Sequence, residues 1–82
     1  MPEDNHQKLL SVVARVFDVG PVGLTDETSQ DDIDRWDSFG MINLVNELEL
    51  SFGVSFDILE IIEFRTVGII KDSLAEKGIS FP

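Results

Sequence analysis

Apolar positions fall into four helical stretches, separated by polar segments bearing glycine and proline. From about 4 to 18, Leu9, Val12, Val13, Val16 and Phe17 keep the i, i+3, i+4 spacing that gathers apolar side chains on one face. Gly20 and Pro21 mark the stop. From 19 to 37, Gly, Pro, Thr, Ser and Asp predominate, which predicts a long mobile loop with Leu24, Ile33 and Trp36 as its anchors in the core. Loops of this length are commonly functional. The clearest periodic segment runs from about 38 to 52 and is ended by Gly53. Met41, Leu44, Val45, Leu48 and Phe52 share one sector there and face the core. A short helix is predicted from about 57 to 64, carrying Ile58, Leu59, Ile61 and Ile62. The last helix runs from about 66 to 77, with Thr66 as N-cap, Val67, Ile70 and Leu74 inward, and Gly78 at its close. No strand-like alternation, internal repeat or low-complexity tract interrupts this pattern. The expectation is an all-α fold, a small four-helix bundle forming a single domain over 1–82, with a long first loop and a short third helix.

Composition narrows what such a bundle does. With 82 residues the chain has no room for a deep enzymatic cleft. Cysteine is absent, so disulfides, thiolate chemistry and zinc–sulfur sites are excluded. The one histidine, His6, leaves no soft-metal cluster. No apolar run exceeds three residues, so neither a membrane span nor a secretory segment is present, and the expected compartment is the cytoplasm. The formal charge of −10 disfavours nucleic acid and anionic lipid as partners. That charge is concentrated: 11 acids lie between Asp26 and Glu63, with Arg35 the single base among them. Such a face solvates the bundle, and it also speeds encounter with a basic partner.

Candidate chemistry reduces to one serine. A hydrolase triad needs an oriented base and a strand-to-helix elbow, and neither accompanies Trp36-Asp37-Ser38-Phe39-Gly40. The acids Asp31, Asp32, Asp34 and Asp37 do not make a calcium loop: counted from Asp32, the sixth position is Asp37 rather than glycine and the twelfth is Asn43 rather than glutamate. Ser38, at the start of the second helix, has two readings. In one it is the N-cap, with Asp37 complementing the helix dipole. In the other its hydroxyl carries a phosphate ester, favoured by the free N–H groups of the helix start and reached by an enzyme from the loop side. Phe39, Ile42 and Leu50 project away from the core, beside Asn43 and Asn46, and Glu47 and Glu49 stand on the two shoulders. An apolar strip edged by acids suits a docking helix, although Leu50 is also placed to pack beneath the third helix. Gly40, in the first helical turn, is disfavoured by about 1 kcal/mol relative to alanine, and close approach of another backbone or of an attached group would account for it.

These residues resemble an acyl carrier protein. The likeness runs from the first helix to about Leu74 and is strongest at Asp37-Ser38-Phe39, Met41-Ile42-Asn43-Leu44-Val45, Leu48 and Ser51-Phe52-Gly53-Val54, with Thr66-Val67-Gly68 similar to the start of the family's last helix. The family motif is Asp-Ser-Leu. The resemblance implies a non-catalytic carrier whose Ser38 receives 4′-phosphopantetheine from coenzyme A through a phosphopantetheinyl transferase. The arm's thiol then holds an acyl or aminoacyl group as a thioester, which also explains a chain without cysteine. A loading ligase and a downstream transferase or synthase are the further partners implied. Asp37, Phe39, Ile42, Glu47 and Glu49 are the residues expected to recognise them. No metal is implied, and a monomer is expected.

Several positions depart from carriers of fatty acid synthesis. Phe39 replaces the usual leucine, Gly40 the common acid, and Asn43, Leu50 and Ser51 stand where glutamates are frequent. Asp37-Ser38-Phe39-Gly40 is similar to the motif of D-alanyl carrier proteins, and Trp36-Asp37-Ser38 to carriers of specialised pathways. With Met1 at its head, the chain is expected to be a free-standing carrier for a dedicated pathway. The alternative is a non-catalytic acidic helical interaction module in which Ser38 is only a helix cap.

Overall fold

The computed structural model describes residues 4–81, so Met1, read above as the head of a free-standing chain, and Pro82 lie outside the described residues. Asp4 opens the first helix by accepting the free N–H groups of His6 and Gln7 at 3.0 and 3.4 Å. This helix, α1 (Asn5–Phe17), buries Leu9, Leu10, Val12, Val13, Ala14 and Phe17 along one stripe. Its end comes before the Gly20–Pro21 stop that the sequence offers. Asp18 takes a left-handed φ of 54° and returns its N–H to the Ala14 carbonyl, as does Val19. Aspartate is among the few residues other than glycine that tolerate this conformation.

The second helix, α2 (Ser38–Phe52), packs its Leu44, Val45 and Leu48 face on α1, and Gly53, at φ 66°, closes it with an N–H to Glu49. The third, α3 (Ile58–Ile62), is shorter than the 57–64 expected, because Asp57 is its N-cap and Glu63 its C-cap. Asp57 and Glu60 form a reciprocal capping box. In α4 (Val67–Glu76), Thr66 accepts the Ile69 N–H at 3.2 Å, and Val67, Ile70 and Leu74 are all buried. The described residues thus form four helices and no strand, with one isolated antiparallel bridge between Ser29 and Thr66.

The loop between α1 and α2 is fastened rather than slack. Ile33 and Trp36 are buried, Leu24 is partly so, and Trp36 stacks on Phe17 with 5.4 Å between ring centroids. At its middle the loop supplies the acceptors that the start of α4 lacks. The Asp26 carbonyl takes the Gly68 N–H at 2.7 Å and the Thr28 carbonyl takes the Val67 N–H at 3.0 Å. Lys71 adds an ion pair to Asp26 at 3.1 Å. This stitching fixes the middle of the loop, while buried Ile33 and Trp36 hold its end beside the start of α2.

Candidate functional site

The start of α2 divides its labour between two neighbouring residues. Asp37, in extended backbone geometry, is the N-cap, and its carboxylate accepts the Gly40 N–H at 2.8 Å. Ser38 is the first residue inside the helix, exposed, with no hydrogen bond to its hydroxyl among the described residues. The reading of Ser38 as a helix cap is therefore corrected. A carboxylate one residue earlier already holds the N3 amide, so the hydroxyl is left without a structural duty. Gly40 is explained from within the chain. A Cβ there would collide with the Arg35 carbonyl and would lie 3.0 Å from Phe17. The end of the loop crosses so close to the first turn of α2 that only glycine fits.

The outer face of α2 is apolar and open. Phe39, Ile42 and Leu50 expose 78%, 68% and 73% of their surface, so Leu50 does not pack beneath α3. The acids on the shoulders have internal work. Arg15 of α1 donates to Glu47 at 2.9 Å, and Glu49 accepts the Phe56 N–H at 2.9 Å. One oxygen of each carboxylate thus braces the helix.

The short helix α3, expected from its apolar residues, buries none of them. Ile58, Leu59 and Ile62 are exposed and extend the apolar face of α2. What holds α3 lies at its flanks. Phe56 and Phe64 are buried before and after it and meet edge-on at 5.1 Å. Glu60 turns back toward α4, accepting from Ser73 Oγ at 2.7 Å and from Lys77 Nζ at 2.9 Å. The Lys77 ammonium, then the Ser73 hydroxyl and the Asp57 backbone N–H, hold the Glu60 carboxyl down at about 2, from an ordinary 4.5. Five residues, four of them apolar, are too few to show a stripe, so no signal in the sequence distinguishes presentation from burial here.

Between the end of the loop, α2 and α3 runs an open groove of about 560 Å³. Ser38 stands on it, and Met41, Ile42, Ile61 and Ile62 form apolar walls. Trp36 lines it too, and the indole Nε1–H is buried without a hydrogen-bond partner. An unpaired buried donor typically costs about 1–3 kcal/mol. Among the described residues there is no group of three or more acidic or histidine side chains placed to hold a metal, and no helix long and apolar enough to cross a membrane.

The comparisons with known proteins bear on this geometry. The sequence model of the family described as "Phosphopantetheine attachment site" matches residues 7–74, which span α2, α3 and the groove between them. The chain is also similar to a solved structure, the solution structure of a holo acyl carrier protein from Geobacter metallireducens. The identity is 35% over 87% of this chain and 86% of that one, with a TM-score of 0.72. No curated protein sequence matches.

Proposed function

We propose, because this chain belongs to the phosphopantetheine attachment-site family, that the hydroxyl of Ser38 is where its arm is attached. The protein is a carrier and catalyses no reaction itself, and its prosthetic group is a covalent 4′-phosphopantetheine. The observation that carries the assignment is the exposed, unbonded Ser38 hydroxyl, set at the positive end of α2 while Asp37 does the capping. The site fits the group: a phosphodiester at Ser38 sits where free N–H groups and the helix dipole favour an anion. Beside it lie the apolar groove and its orphaned indole donor.

In this reading Ser38 Oγ gives up its proton to a base of the transferase and forms the phosphodiester, and the nucleotide half of coenzyme A leaves. The bound arm supplies a terminal thiol that holds an acyl or aminoacyl group as a thioester. The residues of this chain orient and present. Gly40 lets the loop end lie against α2, Asp37 fixes the first turn, and Phe39 and Ile42 offer an apolar contact to the transferase, the loading ligase and the downstream transferase or synthase. Glu47 and Glu49 flank that contact, and the net charge of −10 steers basic partners to it. The uncharged Gly40, Asn43, Leu50 and Ser51 make the face more apolar than charged, which supports a dedicated biosynthetic pathway; a cytoplasmic monomer completes the proposal.

Incubation with coenzyme A and a broad-specificity transferase, followed by intact mass measurement, tests the attachment. The expected result is a gain of one phosphopantetheine that Ser38→Ala abolishes, with stability changed by less than about 0.5 kcal/mol because the residue is not the cap. A gain that survives Ser38→Ala, or none from a transferase active on another carrier, refutes it. Mass identification of the thioester on protein purified in its loaded form names the cargo.

A further inference from the structure

Trp36, two residues before Ser38, is the chain's single tryptophan and is 4% exposed. It lines the groove on which Ser38 stands, and its Nε1–H lacks an acceptor. Buried indole donors ordinarily find a partner, and none of the described residues supplies one here. Gln30, Asp31 and Asp37 also border the groove, yet none of them bonds the indole. In this conformation the nitrogen has essentially no accessible surface, so neither water nor a bound group reaches it until a wall of the groove moves.

We propose that the missing acceptor is an amide carbonyl of the arm carried by Ser38, so that Trp36 positions the root of the arm against the groove. The inference rests on attachment at Ser38. A neutral N–H in an apolar setting is suited to a carbonyl oxygen, and the arm carries two amides. The phosphate is held outside, at the start of α2. Proximity in sequence to Ser38 selects the near part of the arm, rather than the thioester at its far end. The ring itself is fixed, stacked on Phe17, while the facing wall of Ile61 and Ile62 belongs to α3, the helix that buries none of its residues. The proposal requires that wall to yield and uncover the donor.

With one tryptophan, the indole ¹H–¹⁵N resonance is unambiguous. It is to be followed in the unmodified protein, in protein fully converted to the arm-bearing form as verified by mass, and after acylation. Conversion should shift the resonance and slow its exchange with solvent by roughly tenfold, the protection that one hydrogen bond supplies. Acylation should add little. Trp36→Phe keeps the stacked ring and removes the donor: it should gain the arm completely but lose the rise in melting temperature that conversion gives the parent protein. An indole signal identical before and after complete conversion overturns the contact and leaves Ser38 attachment standing. A signal that moves only on acylation overturns it as well, in favour of a contact with the cargo. Failure to gain mass at all sinks the attachment reading, and this contact with it.

Discussion

α4 holds Val67, Ile70 and Leu74 at zero exposure, while α3, the helix before it, leaves Ile58, Leu59 and Ile62 in solvent. Both segments are rich in isoleucine and leucine, so composition does not separate them. Length and anchorage do. Ten residues give α4 nearly three turns, enough to line up an apolar stripe and bury it. Five residues give α3 little more than one, and its position is set by Phe56, Phe64, the capping box and the bond from Glu60 to α4. One helix therefore builds the core, and the other displays apolar surface next to the groove. In a 9.2 kDa carrier whose proposed partners are larger than itself, that is a sensible division: the packed side supplies stability, the displayed side supplies contact.

The largest effect that tests this division is truncation on each helix. Leu74→Ala removes a fully buried side chain and should cost about 2–5 kcal/mol in denaturant unfolding. Leu59→Ala removes one that is 73% exposed and should change stability by less than about 0.5 kcal/mol. Comparable losses at the two positions would mean that α3 is part of the core after all.

A smaller effect probes where the packed and displayed sides meet. On helix propensity alone, Gly40→Ala should gain about 1 kcal/mol. The added methyl, however, runs into the Arg35 carbonyl and presses on Phe17, and neither is the loose end of a flexible side chain. Overpacking of this kind costs about 1–3 kcal/mol, so the expected net change in thermal unfolding is destabilising. Because the backbone that must shift carries Ser38, modification by the transferase should slow as well. A stabilised variant modified at the parental rate would show that the loop end is free to move away.

How much of this was legible beforehand follows from the range of each interaction. Caps and stripes are local, so Thr66, Gly53 and the inward Val67, Ile70 and Leu74 could be read directly, and so could the outward Phe39 and Ile42. The family resemblance also came from a contiguous stretch around Asp37-Ser38. Contacts between residues distant in sequence were not legible. Nothing in the spacing of Glu47 or Glu49 reveals Arg15 or the Phe56 N–H as partners. Gly40 raised the question of a close approach, but only the fold identifies the Arg35 carbonyl. Trp36 was recognised as an anchor, whereas its unpaired donor on a groove required α3 to be placed. Sequence leaves the cap open between Asp37 and Ser38 because both are good N-cap residues, and the choice depends on backbone geometry.

The smallest effect concerns the polar bond that ties α3 to α4. Glu60 has its carboxyl held at about 2, below an ordinary 4.5, first by the Lys77 ammonium, then by the Ser73 hydroxyl and the Asp57 N–H. A carboxyl depressed in the folded state contributes stability above its ordinary range, and loses that contribution as the pH falls toward the folded value. Between about 4.5 and 2, then, the amides of α3 should lose exchange protection before those of α4, which keeps its buried Val67, Ile70 and Leu74 in the core throughout. Because Glu60 lies near the surface, solvent screening keeps the effect modest. Glu60→Gln removes the titrating charge: α3 should be looser at neutral pH, and the extra loosening across that window should disappear. If α3 and α4 lost protection together in the parent protein, or if the variant kept the same acid profile, the bond to α4 would not be what holds α3 in place. The aromatic pair at its flanks would then have to account for its position alone.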